Sequence, residues 1–230
     1  LQLRGVLFDL DGTLLDLDLD AFLRRYFAAL ARATAPHFPG VDVMSAVLAS
    51  TSAMQRPHDA RTNKEVFNQD FRKRTGIDLR EHWDVFGDFY RDVFPTLGDG
   101  YGPVPGARDA IAVARALGMK VAVATQPIFP MVAIIHRLAW AGLADVAFDA
   151  VTTYETMLAC KPHATFFLQT AAMIGCAPGE CLMVGDDRGM DMPASAVGMR
   201  TFYVGSDPGT PADHRGTMAE LAALLRREGR

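Results

Sequence analysis

Asp9 and Asp11 stand one residue apart at the end of a short apolar run, Val6-Leu7-Phe8, with Gly12 and Thr13 directly behind them. A compact apolar run closed by such residues reads as a buried strand feeding a tight turn. Side chains two apart on a strand share a face, and two carboxylates that close repel unless a cation or a proton intervenes. A later apolar run, Cys181 to Val184, ends in Gly185-Asp186-Asp187, with Asp191 shortly beyond. Between these, the run Met119 to Ala124 ends in Thr125 and Gln126, and a loop after the next strand carries Lys161 and Pro162. Asp9, Asp11 and Asp186 offer an oxygen-rich shell suited to Mg²⁺, a hard cation that binds few carboxylates and keeps several waters. An anionic phosphate would approach such a cluster only with that metal present. Lys161 would add positive charge on the phosphate's other side, and the Thr125 hydroxyl could donate to a phosphate oxygen.

These residues matter together only if the fold brings strand ends to one edge. From about Gly102 onward, apolar runs alternate with helical patterns: a helix from Pro105-Gly106 to Leu117, a strand over 119–124, a helix over 127–141, a strand over 148–152, a helix over 163–174, a strand over 181–184, a short helix, a strand over 201–204 and a last helix. Such alternation predicts an α/β fold, a doubly wound parallel sheet with a Rossmann-like core and helices on both faces. Ligands bind such sheets beyond the carboxyl ends of the strands. The stretch between is different. Phe22, Tyr26, Phe27 and Leu30, then Phe67 and Phe71, then Val85, Phe86, Phe89, Tyr90 and Val93 recur at helical spacing. It reads as about four helices, with Asp18 or Asp20 capping the first. Residues 1–16 and 97–230 are therefore expected to form the α/β unit, and residues 17–96 a smaller, all-helical insertion. Trp83 and Trp140 read as core.

The 230 residues are 50% hydrophobic and 22% charged, with a net charge of -4, ordinary values for a globular protein. No long Lys/Arg run is present, which argues against a nucleic-acid partner; the closing Arg226-Arg227-Glu228-Gly229-Arg230 reads as positive charge on the end of a last helix. The most apolar stretch, Ile128 to Leu143, is broken by Pro130, His136 and Arg137, so a buried helix is expected rather than a membrane span. No signal peptide is visible, because Asp9 and Asp11 interrupt the apolar start. Cys160, Cys176 and Cys181 form neither a disulfide framework nor a metal motif, and are expected as reduced, small apolar residues of a cytoplasmic protein. Asp16, Asp18 and Asp20 lack the Gly and Glu of a calcium loop. The basic stretch Arg56, His58, Arg61 and Lys64 could reach the remote end of an anionic substrate, but reads better as a solvated helix flank.

Leu7-Phe8-Asp9-Leu10-Asp11-Gly12-Thr13-Leu14 resembles the first motif of the haloacid dehalogenase superfamily. Thr125 matches the second motif, Cys160-Lys161-Pro162 resembles the third, and Val184 to Met192, with Gly185-Asp186-Asp187 and Asp191, resembles the fourth. Order and spacing agree, including an insertion right after the first motif, where this family places a helical cap. The resemblance implies that Asp9 is a phosphoryl-accepting nucleophile and a metal ligand. Asp11 would protonate the leaving group, activate water for the second step, and lend its backbone carbonyl to the metal. Thr125 and Lys161, with Gly12 and Gln126, would bind the transferring phosphate, Asp186 would ligate Mg²⁺, and Asp191 would orient Lys161 or a metal-bound water, with metal ligation as its other option. Asp187 could serve as metal ligand or turn residue and ranks lower. Gln126 departs from the Asn usual at that place.

The implied activity is Mg²⁺-dependent hydrolysis of a small phosphorylated metabolite through an aspartyl-phosphate. The alternative is a phosphomutase using the same carboxylate pair. A dehalogenase is disfavoured by the presence of Asp11, and phosphonate cleavage by the lack of more than two candidate lysines, Lys64 and Lys73, in the insertion. Of other classes, a phospho-receiver domain fits poorly because its acidic pair precedes its nucleophile, and a non-catalytic binding module fits poorly because the carboxylate set is complete. The oligomeric state is not readable.

Overall fold

Val6 and Phe8 belong to one apolar cluster and Leu7 to another, on the opposite face of the same strand. That period-two division repeats along the neighbouring strands, with Val121 and Val123 against Ala122, and Leu182 and Val184 against Cys181 and Met183. Both faces are thus dry, which is why these strands read as unbroken apolar runs.

The computed structural model describes residues 2–228; Gly229 and Arg230, the end of the basic tail, lie outside them. The chain runs β1 (Gly5–Phe8), β2 (Leu15–Asp16), α1 (Leu19–Thr34), α2 (Val43–Gln55), α3 (Asn63–Thr75) and α4 (Trp83–Asp88). A π turn (Phe89–Val93) and a 3-10 turn (Phe94–Gly98) continue α4. There follow β3 (Gly102–Pro103), α5 (Ala107–Ala116), β4 (Lys120–Val123), α6 (Met131–Trp140), β5 (Ala150–Val151), α7 (Ala164–Met173), β6 (Cys181–Gly185), β7 (Arg200–Tyr203), β8 (His214–Arg215) and α8 (Met218–Glu228).

Six strands form one sheet in the order β5-β4-β1-β6-β7-β8, every neighbouring pair parallel. Buried residues of α5, α6 and α8 join the cluster on the Phe8 face, and those of α7 the cluster on the Leu7 face. Strand β1 lies between β4 and β6, so the chain builds outward on one side and then crosses to the other. That reversal opens the crevice where open sheets of this kind bind ligands. The register pairs Phe8 with both Val123 and Val184, which brings Asp9, Thr125 and Asp186 out at nearly one level.

The helical segment leaves through β2 and returns through β3, which pair antiparallel, Leu15 with Pro103 and Asp16 with Gly102. Asp18 caps α1 by accepting from Ala21 N at 2.9 Å. Thr62 and Glu65 close a capping box on α3, the reciprocal arrangement that satisfies two end donors. Phe22, Tyr26 and Leu30 of α1 are buried, as their spacing predicts. They share one apolar cluster with the sheet.

Several expectations need correction. Helix α6 starts at Met131, not near Pro127, because Pro130 holds the N-cap position and residues 126–129 form a turn instead. The strand expected over 148–152 shrinks to Ala150–Val151: the Asp149 carboxylate takes the Val121 N–H at 2.8 Å in place of a ladder bond. The short helix after the fourth motif is a 3-10 turn, Met192–Val197. Trp83 is not core but 41% exposed; it begins α4, and its indole lies under the Lys64 ammonium at 5.2 Å. The three cysteines are free and buried, and among the described residues no helix is long and apolar enough to cross a membrane.

Candidate active site

At the carboxyl end of β1 the buried Asp9 carboxylate accepts a hydrogen bond from Lys161 Nζ at 2.6 Å. The same ammonium donates to Asp191 Oδ1, also at 2.6 Å, and lies 5.7 Å from the centre of the Phe166 ring. Lys161 is 3% exposed. Burial alone would lower the pKa of such an ammonium; the Asp191 and Asp9 charges outweigh it and hold the group at about 12. Burial raises Asp191, against the pull of Lys161. Burial, then the charge of Asp9, raise Asp186 to about 6.

Carboxylate oxygens of Asp9, Asp186 and Asp191 lie within 4.8 Å of one another. Three carboxylates here face one ammonium, Lys161, an excess of two negative charges when all are ionised. An all-oxygen donor set with that excess fits a divalent hard cation. Two glycines permit the approach. A Cβ on Gly12, whose φ is +75°, would collide with the Asp186 carboxylate, and one on Gly185 with that of Asp191. Thr13 adds a hydrogen bond to Asp186 Oδ1 at 3.1 Å.

The Asp11 side chain stands outside this trio. It pairs with Arg137 of α6: Arg137 Nε donates to Asp11 Oδ1 at 3.1 Å, and Nη2 meets Oδ2. Arg137 is 1% exposed. Its guanidinium carbon lies 5.8 Å from the ring centre of Phe22 in α1 and 5.2 Å from that of Phe129. Burial draws it down to about 10, still charged near neutrality, and its Nη1 has no partner among the described residues. The guanidinium thus ties Asp11 to the junction between the helical segment and the sheet.

A pocket of about 300 Å³ opens over both groups, lined by Asp9, Asp11, Thr125, Lys161, Asp186 and Arg137, among others. The structure therefore brings Asp9, Asp11, Gly12, Thr125, Gln126, Lys161, Asp186, Asp187 and Asp191 to one pocket. Their roles differ in detail from the sequence reading. Asp191 joins the carboxylate trio as well as holding Lys161. The Gln126 amide is spent on the Lys161 backbone, accepting from its N–H at 2.9 Å and donating to its carbonyl at 3.3 Å, so it braces the lysine loop. Asp187 is exposed and accepts from Gly189 N and Met190 N, which makes it a turn residue. The basic stretch is absent from the pocket lining, to which Gln55 is its nearest contributor; Arg61 pairs with Asp59, as a solvated flank should.

Two residues were given no part in the site by the sequence reading. Thr13, two residues after Asp11, was named in the first motif but given no role, and its hydroxyl type was the available signal. Arg137 registered only as an interruption of an apolar run; a cation on the buried face of a helix needs a buried anion, and that requirement was the signal.

A family model for haloacid dehalogenase-like hydrolases matches residues 3–197. The chain belongs to this family. Hexitol phosphatase B of Escherichia coli (strain K12) is 29% identical over 118 residues, 51% of each chain. A phosphoglycolate phosphatase of Xylella fastidiosa is 27% identical over 197 residues, 85% of this chain and 77% of the relative. The chain spans about half or less of the length of the first curated relatives that it matches. The crystal structure of a HAD phosphatase from Thermococcus onnurineus superposes with a TM-score of 0.61 over 97% of this chain and 98% of that one, at 24% identity, which establishes the fold alone.

Proposed function

We propose that the protein is a Mg²⁺-dependent phosphatase that hydrolyses a small-molecule phosphate monoester through an aspartyl-phosphate on Asp9. The observation that carries this reading is the pairing of two differently held carboxylates in one pocket. Asp9 is gripped by Lys161 inside the acidic trio, while Asp11 is held apart by Arg137. In this reading one group attacks and the other moves a proton. Asp9, Asp186 and Asp191 would hold the metal, with the Asp11 backbone carbonyl as a further donor; when bound, it neutralises carboxylate and phosphate charge.

In this mechanism an Asp9 oxygen attacks phosphorus and the bond to the leaving oxygen breaks, and Asp11, which must be protonated and released from the Arg137 pair for this step, gives that oxygen its proton. Asp11, now ionised, takes a proton from water, which cleaves the acyl phosphate, releases inorganic phosphate and restores both groups. Lys161 and the Thr125 hydroxyl hold the phosphate oxygens, as does the Gln126 backbone N–H. Residues 17–96 act as a cap that closes over the pocket, with hinges near 16–20 and 96–105, and exclude water during transfer. The phosphatase relatives support the reaction class; a cytoplasmic enzyme is consistent with the buried free thiols.

The test is phosphate release from p-nitrophenyl phosphate and a panel of metabolite phosphates, with Mg²⁺ and with chelator, by wild type and Asp9→Asn. Release that needs Mg²⁺ and falls by about a thousandfold or more in Asp9→Asn is expected. Undiminished release by the variant overturns the mechanism, and intramolecular return of phosphate to the product would mark a mutase instead.

A further inference from the structure

Beside the phosphate pocket lies a smaller chamber of about 70 Å³, between the helical segment and the sheet. Leu23, Ile128 and Phe129 line both, so the two are continuous in their walls. The chamber's own lining is aromatic, with Tyr26, Phe67, Trp83, Phe86, Tyr90 and Tyr154, and no charged side chain among the described residues takes part. Its polar valences are few. Tyr26 and Tyr90 spend their hydroxyls on each other at 2.9 Å. The hydroxyls of Tyr154, 6% exposed, and of Thr51 bond to no described residue, which leaves room for at most two polar atoms of a ligand. The part of the phosphate pocket contributed by the helical segment is equally apolar: Leu17, Leu19 and Leu23, with a single amide, Gln55.

A polyol or sugar leaving group presents several hydroxyls, each of which needs a partner once water is excluded. A leaving group with a carboxylate needs a cation. Arg137 is committed to Asp11 and Lys161 to Asp9 and Asp191, and the Lys64 ammonium lies over the faces of Trp83 and Tyr154 at 5.2 and 5.7 Å without itself lining either pocket. A hydrocarbon needs neither, and gains by leaving water. The volume limits its size, since a cavity of about 150 Å³ is what accommodates a benzene ring. The chamber therefore takes the end of a short chain, not a ring or a long acyl tail.

Building on the phosphatase reading, we propose that the substrate is the phosphate monoester of a short, branched alkyl or alkenyl alcohol, whose hydrocarbon end enters the aromatic chamber while its phosphate meets Asp9. The first test compares kcat/KM for 3-methylbutyl phosphate, a hexitol phosphate and phosphoglycolate. A preference of about tenfold or more for 3-methylbutyl phosphate is expected; an equal or greater value for either polar ester overturns the proposal and leaves the phosphatase reading standing. Thr51→Phe, which fills the chamber from α2, should raise KM for 3-methylbutyl phosphate about tenfold more than KM for methyl phosphate; equal changes overturn the assignment. Thr51→Ile serves if the larger variant does not fold. Should no ester at all be hydrolysed, the phosphatase reading fails, and the chamber is judged by binding. In Trp140→Phe, leaving Trp83 as sole indole, 3-methylbutyl phosphate should shift the emission, and Thr51→Phe should abolish the shift. No shift rejects the site.

Discussion

The sheet edge and the helical segment above it hold their charged groups on different terms. At the edge, Lys161 has carboxylate partners on two sides and Asp191 has both oxygens engaged, by Lys161 and by the Asp187 N–H. Register fixes the strand-end residues Asp9 and Asp186, because the parallel pairings of β1 with β4 and β6 leave the strand ends no freedom to slide, and the loops after β5 and β6 bring Lys161 and Asp191 to them. At the junction with the helical segment, Arg137 has one carboxylate, two aromatic faces and one nitrogen without a partner among the described residues. The first arrangement saturates the hydrogen bonding of Asp191 and anchors Lys161 on both sides. The second contains an aromatic contact from α1, which moves if the segment moves. Under the proposed mechanism this would set a fixed nucleophile beside a proton-transfer group tied to the moving segment, the division of labour that a closing site needs.

Breaking the saturated side should cost most. Lys161→Met leaves Asp9 and Asp191 buried without their cation, so activity should fall at least about a thousandfold and stability by about 3–5 kcal/mol in denaturant unfolding. Retained stability would mean that the trio tolerates its own repulsion, and the account of the edge would be wrong. Arg137→Met should be milder. Asp11 is partly open to water and the guanidinium already has an unpaired nitrogen, so about 1–3 kcal/mol is expected. Its activity loss of about 10–100-fold should be larger for alkyl phosphates than for p-nitrophenyl phosphate, whose leaving group needs little proton donation. A uniform loss across leaving groups would reduce Arg137 to a structural role.

The smallest effect sharpens the contrast through pH. In the metal-free protein Asp186 is raised to about 6 from 3.8. The folded state then holds a proton between those values that the unfolded state has lost, so this contribution to stability is full below 3.8 and disappears as pH rises through about 6. A divalent cation requires the ionised trio and acts in the opposite sense. Mg²⁺ should raise Tm by several degrees near pH 7.5 and by much less near pH 5. Equal shifts at both values would remove Asp186 from the metal set.

Much of this site was legible before folding was considered. Asp9, Asp11 and Gly12 follow an apolar run, Asp186 and Asp191 follow another, and Thr125 and Lys161 follow strands between them. Strand ends announce themselves locally, since a buried parallel strand must be apolar throughout and its first polar residue lies at the edge. The helical spacing of Phe22, Tyr26 and Leu30 was legible for the same reason: periodicity is a property of neighbours along the chain. The exact limits of the strand near Val151 and of α6 were not, because a side-chain acceptor, Asp149, and the N-cap position of Pro130 decided them.

The sequence by itself determined which carboxylates, hydroxyl and cation the site would contain, and that an α/β sheet with a helical insertion would carry them. Only the tertiary structure decided how they were shared out: that Asp191 joins Asp9 and Asp186, that Gln126 braces the lysine loop, and that Asp11 belongs to Arg137. Arg137 lies 126 positions from its partner. Its burial is tolerable because that distant carboxylate meets it, and pairing across such separations is set by packing, which no local pattern records.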